Sequence, residues 1–235
     1  MKVAQLGLVV LCMAFAMCAN TAAVEANDAD LSRRELIEAA RLVPNARHGA
    51  ELFETCAACH GKNGLGANDG SVPAIAGQHG SVLLKQLVDF RHNQRWDERM
   101  EHFTDRHHLP TAQDMTDVAF FIANLPRTAP RNNAVGTGEY LQEGARVYFR
   151  VCESCHLPLG QGDVLHFRPR LAGQHYQYLL KQLDDMAAGN RPAMHPAHAE
   201  RVRALNPAER KGMADYLSRL SPDLTSHRVT PVAAP

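Results

Sequence analysis

Two pentapeptides hold most of the chemistry in this sequence. Cys56-Ala57-Ala58-Cys59-His60 and Cys152-Glu153-Ser154-Cys155-His156 both read Cys-x-x-Cys-His. Thiols three residues apart lie on adjacent positions of a helical turn, where they can add across the two vinyl groups of one haem. The histidine that follows then points at the iron, so attachment and one axial ligand are set within a single short motif. Other chemistries fit less well. Cysteines of an exported chain could pair as disulfides, but that leaves the histidine after each pair unexplained. A thioredoxin-like dithiol needs a strand before the motif, and neither copy has one. Zinc could take the thiolates and imidazoles, yet would not account for the long loops both copies share. The expected cofactors are two haem c groups. One is bound covalently through Cys56 and Cys59, the other through Cys152 and Cys155, with His60 and His156 on the irons.

Both motifs sit in a duplicated frame. A shift of 96 residues carries the first motif onto the second, Pro73 onto Pro169, and Ala76-Gly77-Gln78-His79 onto Ala172-Gly173-Gln174-His175. It also carries Leu84-Lys85-Gln86-Leu87 onto Leu180-Lys181-Gln182-Leu183, Arg95 onto Arg191 and Leu109 onto Leu205. In-register recurrence of this kind marks an internal repeat. Each copy reads as mostly helical. Helices are expected around Arg47 to Thr55, Ser81 to Asn93 and Thr111 to Asn124, then Gly144 to Val151, Tyr176 to Ala188 and Pro207 to Leu220, with Thr111 and Asn206 as caps. Ser32 and Glu35 suit a capping box for a short helix before the first copy. Strand-like alternation is nearly absent, so the fold class is all-α, with long Gly-rich loops around few helices. The divisions are a signal peptide (1–23), an N-terminal extension (24–43), domain one (44–129), a linker (130–138), domain two (139–222) and a flexible tail (223–235).

Composition narrows the function. The 235 residues carry 25 basic and 25 acidic side chains, and no long basic or acidic run points to nucleic acid. Aromatics make up only 6%, so two small domains need something else to fill their cores. Lys2, the apolar run from Val3 to Ala19 and the small residues Thr21-Ala22-Ala23 read as an export signal. The mature chain is therefore expected to be exported, with peripheral membrane association left open. Cys12 and Cys18 fall inside this segment.

With both motifs, Pro73-Ala74-Ile75-Ala76-Gly77-Gln78, Pro169-Arg170-Leu171-Ala172-Gly173-Gln174 and the Leu-Lys-Gln-Leu runs in hand, the chain resembles the two-haem cytochrome c4 family over nearly its whole mature length. The resemblance implies two tandem class I cytochrome c domains, each wrapped on its haem. It implies that the carbonyls of Pro73 and Pro169 orient His60 and His156. It also implies a methionine on the far side of each iron. Met115, Met186 and Met213 fall in expected helices and suit core packing. Met100 and Met194 fall in the loop before the last helix of each copy and are the expected iron ligands. They miss register by two residues, whereas His102 and His198 are in register, each seven before its leucine. Bis-histidine ligation therefore stands as the alternative, and it would lower the reduction potential. His79 and His175, beside glycines at the start of the Leu-rich helices, suit a propionate contact or a helix start.

The function the resemblance implies is single-electron transfer in the periplasm between respiratory redox partners, a membrane-bound donor or a terminal oxidase. No nucleic acid, small-molecule substrate or catalytic residue is expected, so the chain is not read as an enzyme. A two-haem peroxidase or thiosulfate dehydrogenase is the first alternative. It needs an open or displaceable iron, and the mature chain has no cysteine beyond its motifs. A dedicated subunit of a dehydrogenase or oxidase is the second.

Overall fold

A computed structural model describes residues 28–128 and 134–221. The expected signal peptide, the tail from 223 onward and residues 130–133 of the expected linker lie outside the described residues.

Local signals account for most helix boundaries. Helix α1 covers residues 28–39. Helix α2 (Ala46–His60) starts where the Asn45 side chain accepts from the N–H groups of Arg47 and His48, and it runs through the whole first motif. Helix α3 is Gly80–Arg91 and α4 is Glu98–Thr104. Helix α5 (Ala112–Ala123) opens with a reciprocal capping box between Thr111 and Asp114. In the second copy, α6 (Leu141–Val147) passes into a π-helical turn (Tyr148–Cys152) and then α7 (Glu153–His156). Helices α8 (Tyr176–Ala188), α9 (Pro196–Arg203) and α10 (Pro207–Arg219) complete the domain, the last capped by Asn206 and Glu209 with Pro207 at its first position. Among the described residues there is one isolated bridge, Asp163 with Arg168, and no longer strand pairing.

Each copy buries its own core. In the first, Phe53, Leu84, Val88, Met115, Val118 and Ile122 pack where α2, α3 and α5 meet. In the second, Tyr148, Leu179, Leu183, Met213, Ala214 and Leu217 do so between α6, α8 and α10. Met115 and Met213 are core residues as expected, fully enclosed, while Met186 is half-buried against the second core.

Two expectations are corrected. The segment holding Met100 is a short helix, α4, not a loop, while Met194 stays in the turn before a second short helix, α9. Asp97 accepts from the Met100 N–H to start α4, and Pro196 opens α9. Both are too brief to show an apolar period, so only their caps announce them. Second, Ser32 and Glu35 lie inside α1 and form no capping box. Glu35 is buried and receives Arg91 Nη1 and, at 2.6 Å, His92 Nε2. Thr116 Oγ1 donates to the Ala39 carbonyl. These contacts clamp α1 onto domain one.

The two copies dock through a reciprocal set of hydrogen bonds. Gln78 donates to the Arg170 carbonyl at 2.9 Å and accepts from the Arg170 N–H at 2.8 Å. Its repeat partner Gln174 donates to the Ala74 carbonyl at 2.7 Å and accepts from the Ala74 N–H at 3.0 Å. His79 Nε2 meets the Gln161 carbonyl at 2.8 Å, and His175 Nε2 meets the Leu65 carbonyl at 2.7 Å. Arg95 and Arg191 extend the pattern. Each binds the glutamine of its own copy and that of the other: Arg95 with Gln86 and Gln182, Arg191 with Gln182 and Gln86. A two-fold relation between duplicated domains makes every such contact occur twice.

Gln174→Leu should therefore weaken docking by about 2–4 kcal/mol, because it removes the two bonds between the domains and leaves a buried N–H and carbonyl of Ala74 unpaired, besides losing the bond from the His175 N–H within its own domain. A single thermal transition of the haem-loaded protein is expected to split into two. An unchanged single transition would show that the glutamines do not hold the domains together.

Candidate haem sites

Helix α2 brings Cys56, Cys59 and His60 to one end of domain one; the π turn and α7 bring Cys152, Cys155 and His156 to the matching end of domain two. Cys56 and Cys152 face inward and are half-buried, Cys155 is half-buried, and Cys59 is exposed. Burial pushes the Cys56 and Cys152 thiols up to about 11. Neither is a ready thiolate, which argues against a dithiol redox pair.

Both histidines are buried, and each is aimed by one carbonyl. His60 Nδ1 lies 3.0 Å from the Pro73 carbonyl and His156 Nδ1 lies 3.2 Å from that of Pro169. A neutral ring that donates through Nδ1 keeps its lone pair on Nε2, the atom a metal takes. Burial, partly offset by the proline carbonyl, lowers the pKa of His60; the same causes bring His156 down to about 4. Both rings are thus neutral at ordinary pH. Glycine makes this aim attainable. Gly66 (φ 77°) and Gly162 (φ 72°) pass beneath the proline segment so closely that a Cβ would stand 2.3 Å from the Val72 carbonyl oxygen and 2.4 Å from that of Arg168. Their N–H groups bond back to the His60 and His156 carbonyls at 2.8 and 3.0 Å.

The far sides of the two sites differ. In domain one, Met100 is half-buried in the first turn of α4, and the charges of Asp97 and Arg99 beside it act on His60. His102 is exposed, with its ring 4.5 Å from that of His108. His102, Asp105 and His108 bring their donor atoms within 4.8 Å of one another, and Asp105 holds His108 Nδ1 at 2.9 Å. In domain two, His198 lies 6.1 Å from His156 between ring centroids. Met194, half-buried, has its sulfur 2.9 Å from His198 Nδ1. His79 and His175, expected at a propionate or a helix start, begin their helices without a side-chain cap and instead tie the domains together.

The donor set fits haem. It offers paired thiols on a helical turn and a neutral buried imidazole directly after them. Arg127 bonds the carbonyls of Ala76 and Ala172, yet among the described residues its buried Nε finds no acceptor, and burial brings that guanidinium down to about 10. A carboxylate carried in by a cofactor would satisfy it.

The interface glutamines and arginines were absent from the expected sites. Their signal was present all the same: Gln78, Gln86 and Arg95 recur in register as Gln174, Gln182 and Arg191, and polar residues repeated among helices need a shared partner.

Fold and site together define a two-domain, two-haem c-type cytochrome. The cytochrome c family model matches twice, over residues 46–126 and 141–221. Cytochrome c4 of Azotobacter vinelandii is 31% identical over 164 residues, covering 63% of this chain and 74% of that protein. The thiosulfate dehydrogenase electron acceptor of Stutzerimonas stutzeri (strain A1501) is 32% identical over 177 residues, covering 70% and 78%. The crystal structure of reduced recombinant cytochrome c4 from Pseudomonas stutzeri superposes with a TM-score of 0.65 at 26% identity, covering 76% of this chain and 100% of that one. The chain belongs to the cytochrome c family and, within it, to the cytochrome c4 proteins. It carries two covalently bound haem c groups and transfers electrons.

Proposed function

We propose that this chain is an exported periplasmic carrier that takes and gives one electron at a time and has no substrate chemistry of its own. Haem iron supplies the one-electron step between ferric and ferrous states. The polypeptide binds, orients and buries it. Cys56 and Cys59 tether the first haem and Cys152 and Cys155 the second. His60 and His156 ligate through Nε2, each held by its proline carbonyl, and Met100 is the second ligand of the first iron. Residues 1–23 direct export, 24–43 form the extension clamped through Glu35, and the haem domains span 44–129 and 139–222, joined by 130–138. The observation that carries this reading is the pair of matched sites, each a Cys-x-x-Cys-His with its histidine on a proline carbonyl, locked face to face by reciprocal bonds. Rigid docking of two cofactors serves electron passage between them. Among the described residues no helix is long and apolar enough to cross a membrane.

The partners are redox proteins, a membrane-bound donor or a terminal oxidase. A second reading, the dedicated electron acceptor of a dehydrogenase, is favoured by the likeness to the Stutzerimonas acceptor over 78% of its length. Protein matured with a haem-attachment system should carry the mass of two haems, and the double variant Cys152→Ala, Cys155→Ala should carry one. A colourless product, or metal without porphyrin, would overturn the assignment. A ferrous form that binds carbon monoxide stoichiometrically at both irons would favour an enzyme over a carrier.

A further inference from the structure

In the second site two imidazole rings are neighbours. The rings of His156 and His198 have centroids 6.1 Å apart and planes inclined at 51°. A metal–imidazole bond is about 2 Å long and a ring centroid lies about 1.1 Å behind its ligating nitrogen, so two rings on opposite sides of one ion have centroids about 6 Å apart. Two rings joined directly by a hydrogen bond of about 2.9 Å would sit about 5 Å apart. The observed gap is wider than a direct hydrogen bond gives and leaves room for an ion between the rings.

The remaining nitrogens fit the same arrangement. His156 Nδ1 is engaged by the Pro169 carbonyl. His198 Nδ1 is engaged by the Met194 sulfur at 2.9 Å, a weak acceptor. Each ring is therefore left with Nε2 to offer. His198 is the third residue of α9, which Pro196 starts and which Ala199 and Val202 fasten to the domain, so its backbone is fixed. Domain one has no counterpart. His102, in register with His198, is exposed and turned to His108, and among the described residues no ring contact joins it to His60.

We propose that His156 and His198 together ligate the second iron, that Met194 positions His198 through its Nδ1 instead of binding iron, and that the two haems are consequently unlike. This rests on the two-haem reading above. Imidazole favours ferric iron more than a thioether does. The second haem then has the lower potential of the two, and electrons run downhill from domain two to domain one.

Oxidised, fully loaded protein provides the test. Its absorption should show the weak red band of a thioether–iron bond at half the intensity, per haem, of a protein with two such bonds. Electron paramagnetic resonance should show two low-spin species. His198→Ala should turn one haem high-spin and let its ferrous form bind carbon monoxide, while Met194→Leu should leave both haems low-spin. High-spin haem in the Met194 variant with unaltered low-spin haem in the His198 variant would overturn the proposal. So would a full-intensity thioether band in unmodified protein, a result that needs no variant to fold. A mass short of the second haem would overturn this proposal and the two-haem reading together. Two attached haems with two thioether bonds would overturn this proposal alone.

Discussion

Gly144→Ala is expected to lower the stability of domain two by about 3 kcal/mol or more, at or beyond the upper end of ordinary overpacking. Helices α6 and α10 cross where Gly144 meets Gly212. A Cβ on Gly144 would stand 1.9 Å from the Gly212 carbonyl oxygen and 2.0 Å from its carbon, and a Cβ on Gly212 would stand 2.4 Å from the Tyr140 oxygen. These neighbours are backbone, so no rotamer change relieves the clash; the helices must separate and the core between them must open. The corresponding crossing in domain one is made by Gly49, whose Cβ would lie 2.2 Å from the Asp117 oxygen. Denaturant unfolding of the haem-loaded protein, followed by the absorption of each haem, should show the second domain unfolding first in Gly144→Ala and the first domain first in Gly49→Ala. Unshifted midpoints would mean that the helices slide apart at little cost.

Glu35→Ala should cost domain one about 3–5 kcal/mol, the range for removing one partner of a buried ion pair. The side chains of Glu35 and Arg91 are 8% and 5% exposed. Without the carboxylate, Arg91 keeps the carbonyls of Thr104 and Leu109 but loses the charge opposite it. Burial alone would raise the Glu35 pKa; the His92 hydrogen bond and the charges of Arg91 and Arg106 outweigh it, and the net shift is downward. A carboxyl with a depressed folded pKa adds stability that is present above its unfolded value and is lost as pH falls through the folded one. The gap between the parent and Glu35→Ala should therefore be full at neutral pH and close in acid. Urea midpoints across that range would check it, and faster proteolysis within 28–39 should accompany the loss of the clamp. A gap that widened in acid would contradict the sign.

The π turn shows how a simple repeat shift fails. Under the 96-residue shift Gly49 falls on Ala145 and Phe53 on Phe149. Yet Gly144 makes the crossing and Tyr148 fills the core, while Phe149 is 49% exposed. One extra residue separates the crossing from the second motif, and the π-helical stretch Tyr148–Cys152 absorbs it within the helix. Both glycine contact and haem motif thus keep their places.

The sequence by itself determined whatever depends on short spacing: the two attachment motifs, the duplication, and the starts of α5 and α10, where Thr111 with Asp114 and Asn206 with Glu209 close their own first turns. Only the tertiary structure decided what depends on distant chain segments meeting. It turned Glu35 from a supposed cap into the clamp of α1, gave Gln78, Gln174, His79 and His175 to the domain interface, and brought the His198 ring within 6.1 Å of that of His156 with the Met194 sulfur against its Nδ1. Capping and haem attachment are fixed by bonds within a turn or two, so residue type and order suffice. The far side of a site is filled by whichever side chain the packing of a separate helix delivers, and a two-residue slip or a single π turn changes that without altering the local pattern.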